Sequence, residues 1–154
     1  MRTVVAAIVV TVVLSITACS IDVYPGDRRH IVHLPVYPDA RPVHVEHTPG
    51  TNVTFTGRFS ETSVVPRTFE SDDPPEVILE FYRQILEARG PVMECRGTIN
   101  VHRRRGGETL GCLERPSSPA VRLAGGSAGQ HSIVAVTTNG PAVQFAVLDV
   151  HTRW

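Results

Sequence analysis

Lysine is absent from this chain of 154 residues, and all fifteen basic residues are arginine. Arginine is not equivalent to lysine, because its planar guanidinium binds carboxylate and phosphate groups in a bidentate manner. The codon usage of a GC-rich genome is the simpler explanation of this bias. The lack of lysine therefore assigns no ligand by itself.

An excess of charge of one sign is also absent, since fifteen acidic residues balance the arginines. A neutral chain lacks the broad basic field of nucleic-acid-binding domains, so we expect no nucleic-acid partner. Aromatic residues make up only 6 % of the chain, whereas apolar residues make up 42 %. Many of these are valine, which favours strands, and twelve prolines and twelve glycines disfavour a helical bundle.

Patterns typical of catalytic sites are missing as well. The sequence contains no G-x-S-x-G elbow, no H-E-x-x-H pair and no glycine loop that leads into a helix. The glycine-rich run at 125–129 leads into a strand, which makes a phosphate cradle unexpected. We therefore expect a non-enzymatic protein without a cofactor, and an unrecognised hydrolase is a minor alternative.

The amino terminus carries the most informative pattern. An apolar run at residues 4–16 follows Arg2; it is too short to span a bilayer but suits the core of a signal peptide. The quartet 16–19 (Ile-Thr-Ala-Cys) resembles the bacterial lipobox of an aliphatic residue, two small residues and a cysteine. This resemblance implies a lipoprotein with a signal peptide over 1–18 and a diacylglycerol on Cys19. The alternatives are an ordinary secretory signal or an N-terminal anchor helix.

Lipidation implies a protein of the cell envelope that faces the periplasm or the exterior. Two or more acyl chains anchor a protein stably, whereas one chain binds only marginally. In Gram-negative bacteria an Asp after the lipidated cysteine resembles an inner-membrane retention signal, and Ser20 stands there instead, which favours the outer membrane. The expected partners are the membrane, through its lipid anchor, and an envelope protein. We interpret 19–33 as a tether and 34–154 as a single domain.

Cys95 and Cys112 form an even pair once Cys19 is assigned to the lipid. An oxidising compartment favours a disulfide between them, and closing such a loop stabilises the fold by roughly 3 kcal/mol. The flanking residues resemble strands, so the bridge is expected to join two neighbouring strands. Two free buried thiols are the alternative, and a zinc site is less consistent because two cysteines do not fill a tetrahedral shell.

Residues 73–90 predict an amphipathic helix of about 16 residues. Asp73 is a suitable N-cap, Pro74 suits the first helical position, and Gly90 suits the C-terminal stop. The polar face is mainly acidic, so we expect packing against a core rather than against lipid. The apolar face comprises Val77, Ile78, Phe81, Tyr82, Ile85 and Leu86.

Short strands are predicted on both sides of this helix, the first of them over 43–47. Pro66 demotes one strand to an edge or a bulge. Gly106 and Gly107 mark one hairpin turn, 139–140 (Asn-Gly) marks another, and 125–129 reads as a flexible loop. One helix packed on a largely antiparallel sheet of about five to seven strands is an α+β domain.

The turn at 37–40 (Tyr-Pro-Asp-Ala) and the helix at 73–90 together resemble uncharacterised small bacterial lipoprotein and periplasmic domains. Those domains combine a "YPGA"-like turn with an acidic, capped "PEEVLxFYRxxLxxxG" helix. This chain has Asp39 where glycine is usual and Pro91 where tryptophan is expected. The resemblance concerns structure and implies no catalytic residue.

Two clusters of side chains are candidate binding sites. Neutral imidazoles bind zinc, copper and nickel, so a metal-binding envelope lipoprotein is the alternative function. Residues three apart on a strand face opposite ways, which favours exposed histidines without a metal. The four histidines are His30, His33, His44 and His47.

The second cluster is basic. Arg103, Arg104 and Arg105 occupy the expected tip of a hairpin. Such a tip could contact anionic lipid head groups or lipopolysaccharide phosphates. A solvated turn is the simpler interpretation.

Overall fold

Strands dominate the part of the chain that can be described. The computed structural model describes residues 33–44, 53–59, 61–127, 129–137, 140 and 142–153, all within the compact unit Ile31–Trp154. The elements are β1 Arg41–Pro42, β2 Val53–Thr56, β3 Glu61–Ser71, α1 Pro75–Glu87, β4 Val92–Cys95, β5 Gly97–Arg104, β6 Gly107–Glu114, β7 Ala120–Ser127, β8 Gln130–Thr137 and β9 Val143–Arg153. The described residues thus form a mostly antiparallel β structure with one helix.

The strands form two sheets rather than one. A six-stranded antiparallel sheet has the order β1-β3-β9-β8-β7-β4, and a three-stranded sheet has the order β2-β5-β6 with β2 parallel to β5. The change of sheet occurs at Arg96, which alone separates β4 from β5. A Cβ on the next residue, Gly97, would lie 1.9 Å from the Leu113 carbonyl oxygen, so only glycine permits this close approach.

Both faces of the large sheet are covered, which explains the unbroken apolar runs of its central strands. Side chains on one face pack with α1 and residues 34–37, and side chains on the other face pack with the small sheet. The first core includes Leu34, Tyr37, Ile78, Tyr82, Leu123, Val134, Phe145 and Val147. The second includes Cys95, Ile99, Ala124, Ile133, Leu148 and Val150.

The helix begins later than its capping pattern predicts. Pro74 is the N-cap and Pro75 the first helical residue, and no side chain caps the helix. Asp73 does not act as the cap, because its carboxylate instead accepts a 2.6 Å hydrogen bond from the Tyr37 hydroxyl. This hydrogen bond, followed by burial, raises the pKa of Tyr37 above its ordinary value.

The buried face of α1 is narrower than the sequence predicts. Ile78, Tyr82 and Leu86 are fully buried, but Val77 is 48 % exposed and does not belong to the core. The Tyr82 hydroxyl donates to the Pro35 carbonyl at 3.1 Å and accepts from the Tyr37 N–H at 3.0 Å. These two hydrogen bonds therefore hold residues 35–37, which precede β1, against the helix.

Pro66 lies where β3 pairs only with β9 among the described residues, which agrees with the edge alternative of the prediction. β1 pairs only with Phe69 and Glu70 of β3, and the Val43 N–H adds a 2.9 Å bond to the Thr68 carbonyl. Among the described residues, none pairs with that side of β3 between Glu61 and Arg67. Even-numbered positions of β3 point their backbone groups to this side, because such groups alternate along an antiparallel strand. Pro66 thus lacks an N–H where a further strand would need one.

Two strand predictions near glycine and histidine need correction. Residues 43 and 44 lie outside any strand, and 45–47 lie outside the described residues. Gly125 and Gly126 belong to β7 rather than to a loop. A Cβ on Gly125 would lie 3.5 Å from the Leu86 Cδ2 atom, so this glycine allows close packing against the helix. A Cβ on Gly126 would lie 2.4 Å from the Gln130 carbonyl oxygen, so this glycine allows close approach to β8.

The turn at 37–40 supplies a first testable prediction. The Ala40 N–H bonds to the Tyr37 carbonyl at 3.2 Å, and Asp39 has a φ of 59°. Left-handed backbone is unfavourable for a residue with a Cβ, so Asp39→Gly is expected to raise the free energy of unfolding by up to about 1 kcal/mol. Urea denaturation measures this change. Asp39→Ala is the control and should lower stability; equal losses in both variants would contradict the argument.

Candidate functional site

The hairpin formed by β5 and β6 presents arginine at its tip. Arg104 pairs with Gly107, which leaves Arg105 and Gly106 as a two-residue turn. Gly106 has a φ of 109° and Gly107 a φ of 140°. Both values lie in the region that favours glycine, so the Gly-Gly pair fixes this turn as the sequence predicts.

The three predicted arginines do not share one environment. Arg104 and Arg105 are exposed, whereas Arg103 is half-buried and its Nη1 donates to the Arg58 carbonyl at 3.0 Å. Arg103 therefore braces the hairpin against the segment after β2. Only Arg104 and Arg105 present their guanidinium groups to the surroundings as the sequence suggested.

A third exposed arginine, Arg58, joins the hairpin from a distant part of the chain. The parallel pairing of β2 with β5 brings Thr56 opposite His102. Gly57 then lies so close to the hairpin that a Cβ would stand 2.9 Å from the Arg103 Cβ. We call Arg58, Arg104 and Arg105 the arginine tip. The sequence carries no local signal for Arg58, because its place depends on a parallel pairing across more than forty residues of intervening chain.

Beneath the tip, Glu108 reaches from β6 to the large sheet, and sequence reasoning missed it. Its side chain is completely buried. Its Oε2 accepts from His131 Nε2 at 2.7 Å and from the Gly129 N–H at 3.0 Å. Its Oε1 accepts from the Thr152 hydroxyl. We call these four residues the Glu108 clamp.

The Glu108 clamp keeps its carboxylate ionised. Burial alone would raise the pKa of Glu108, but the hydrogen bonds from Thr152, from the Gly129 N–H and from His131 outweigh it and hold that pKa below its ordinary value. His131 is almost fully buried, and its Nδ1 has no hydrogen-bond partner among the described residues. The clamp is thus a set of buried hydrogen bonds to an ionised carboxylate that joins the two sheets.

The second contact between the sheets is covalent. The sulfur atoms of Cys95 and Cys112 lie 1.93 Å apart, at disulfide distance. Cys95 belongs to β4 of the large sheet and Cys112 to β6 of the small sheet. The bridge therefore links two sheets instead of two paired strands. With Glu114, these atoms form the one three-residue group of potential metal ligands among the described residues, but a sulfur within a disulfide is a poor ligand.

The predicted histidine cluster is described only in part. His30 and His47 lie outside the described residues, and His44 is exposed. The Nδ1 of His33 lies 2.6 Å from Asp149 Oδ2, which also accepts from Arg67 Nη2 at 3.2 Å. One ring nitrogen of His33 is therefore already engaged by a buried carboxylate.

Asp149 is the centre of this second polar cluster, on the helix side of the large sheet. Its side chain is 3 % exposed, and Arg67 Nη2 also donates to the Leu34 carbonyl at 3.0 Å. Among the described residues, Asp149 Oδ1 and Arg67 Nε are buried without a hydrogen-bond partner. The cluster ties residues 33–34 to β3 and β9.

Comparisons with known proteins assign no family. The chain matches no family model, no curated protein and no solved structure. Within the described residues, no helix combines the length and apolarity needed to cross a membrane. Cys19 lies outside the described residues, so its lipidation stays a prediction. Any function for this chain must therefore be argued from its residues.

Proposed function

We propose that this protein is a lipid-anchored component of the cell envelope. The support is the quartet 16–19 (Ile-Thr-Ala-Cys) behind the apolar run 4–16. In this proposal Cys19 carries the acyl chains, the residues from Cys19 to the one before His33 tether the domain, and the domain faces the periplasm or the exterior. His33 itself belongs to the domain, because it contacts Asp149. If the organism is Gram-negative, Ser20 favours the outer membrane.

The domain itself acts as a non-enzymatic interaction module, which we assign to the α+β class. The observation that carries this assignment is the braced hairpin of β5 and β6. It is held by the Cys95–Cys112 bridge at one end and by the Glu108 clamp at the other. A surface element held at two points is pre-organised, and pre-organisation lowers the entropic cost of binding a partner.

The intact mass of the protein extracted from membranes tests the anchor. We expect a species that begins at Cys19 and carries acyl chains. Reduction should add two hydrogen atoms to the mass, as opening one disulfide requires. The protein should partition into the membrane fraction.

The matched control is Cys19→Ala. This variant should lose the acylated species and its cleavage while its domain keeps the same thermal unfolding midpoint. An unmodified Cys19 in the wild-type chain would contradict the anchor. A wild-type chain whose mass does not change on reduction would contradict the disulfide and leave the anchor unaffected.

A further inference from the structure

We propose that the arginine tip docks on the phosphate groups of anionic lipids in the membrane that anchors the chain. This inference rests on the proposed lipid anchor and names the partner of the hairpin. Guanidinium groups bind phosphate oxygens through paired, charge-assisted hydrogen bonds. Basic residues near an anionic leaflet are attracted to it over about a Debye length.

The tip contributes three exposed arginines to this contact. Arg58, Arg104 and Arg105 are exposed, and within the described residues none of them forms an ion pair. The acid of the hairpin that lies beneath the tip is Glu108. Its carboxylate is buried and already accepts hydrogen bonds from the Gly129 N–H and from His131. Among the described residues, these three positive groups are therefore exposed without a carboxylate partner.

Arg89, Arg96 and Arg115 are also exposed, whereas three other arginines of the domain form ion pairs with acidic neighbours. Their bridges are short and leave less charge for an external phosphate. The pairs are Arg41 with Asp72, Arg67 with Asp149 and Arg83 with Glu94.

The length of the proposed tether is compatible with contact between the arginine tip and the bilayer. Residues 19–33 span at most about 50 Å when fully extended. A domain of this length has a radius of gyration of about 14 Å, so the tether exceeds its diameter. A tether of this length allows the arginine tip to contact the bilayer, where electrostatic attraction to anionic phosphate favours that contact.

The braced hairpin makes the contact specific to the tip. Arg103 holds the Arg58 segment beside the hairpin, and the Glu108 clamp holds the hairpin against the large sheet. The backbone positions from which the three arginines project are therefore set before any phosphate binds. A flexible basic loop would have to order itself on the surface and would bind more weakly.

Hydrogen–deuterium exchange of the full mature protein in nanodiscs tests the docking. One set of discs contains phosphatidylcholine alone, and the other contains phosphatidylcholine and phosphatidylglycerol in equal parts. We expect amide exchange in 57–59 and 103–107 to slow by roughly tenfold on the anionic discs only. The effect should vanish at high salt.

Two triple variants locate the effect. Arg58→Ser, Arg104→Ser and Arg105→Ser together should abolish the slowing. The control combines Arg89→Ser, Arg96→Ser and Arg115→Ser, which removes the same charge from exposed arginines outside the tip and should leave the slowing intact. Both variants must unfold at the wild-type temperature before they are compared.

Several outcomes would overturn the docking. Equal slowing on both kinds of disc, or equal loss in both triple variants, would show that the tip does not recognise lipid phosphate. Slowing that occurs in native membranes but not in anionic discs would identify a protein partner instead.

The mass of the same preparation separates this inference from the anchor. A chain without acyl groups contradicts the anchor alone. Flotation of that chain with phosphatidylglycerol vesicles then decides the docking, because the tip variant should float less than the control variant. Equal flotation of the two variants would refute it.

Discussion

Replacing Glu108 by alanine is expected to lower the free energy of unfolding by about 3 to 5 kcal/mol. The loss is large because the Gly129 N–H and His131 would remain buried without their acceptor. Glu108→Gln keeps the shape but removes the charge, so about half of that loss is expected. Chemical denaturation measures both values.

The same carboxylate predicts a dependence on pH. Its ordinary pKa is 4.5, and the folded protein lowers it. The unfolded chain therefore takes up a proton at higher pH than the folded one. The stabilisation by Glu108 is complete above about pH 4.5 and is lost as pH falls through the lowered pKa of the folded state. In Glu108→Gln the free energy of unfolding should fall less steeply over that acidic range.

Glu114→Gln is the matched control, because Glu114 lies on the same strand and is exposed. Its free energy of unfolding should change by less than about 0.5 kcal/mol. If Glu108→Ala were as mild as this control, the clamp would contribute nothing to the joining of the two sheets.

Removing the disulfide is the second change with a large expected effect. The double variant Cys95→Ala and Cys112→Ala opens a loop with a sequence separation of 17 and should lose about 3 kcal/mol. Because the bridge joins the two sheets, amide exchange should accelerate more in β5 and β6 than in β8 and β9. Denaturation and exchange measurements on the same sample test both statements.

Reduction of the wild-type protein provides the control for this variant. A reductant should reproduce the loss in the wild type and leave the double variant unchanged. A double variant as stable as the oxidised wild type would contradict the stabilising role of the bridge. Equal acceleration of exchange in all strands would contradict its place between the sheets.

Local patterns predicted the local structure well. The hairpin at Gly106–Gly107, the turn before β1 and the amphipathic helix each depend on residues close together in the chain. The predicted start of the helix was wrong by one residue. The Asp73 carboxylate accepts a hydrogen bond from the hydroxyl of Tyr37, which is distant in sequence, and does not cap the helix. A capping pattern cannot report such a competing partner.

Contacts between distant segments were beyond sequence reasoning. The split into two sheets depends on the close approach of the Leu113 carbonyl oxygen to Gly97, which leaves no room for a Cβ. Alternating apolar residues predict strands, but they do not show whether those strands form one sheet or two. The parallel pairing of β2 with β5 encloses β3, α1 and β4, so no turn signals it. Glu108 looked like an ordinary polar residue of a hairpin, although it is the most buried acid of the candidate site.

Pro66 affects whether the β3 edges of two neighbouring molecules can pair. Under the proposed lipid anchor, copies in one bilayer would move in two dimensions at similar height, which would raise the frequency of side-by-side encounters. An unpaired strand edge would let neighbouring molecules join their sheets through backbone hydrogen bonds. The missing proton donor at Pro66 interrupts that ladder in the middle of β3. Molecules anchored in this way would therefore collide along this edge and still separate.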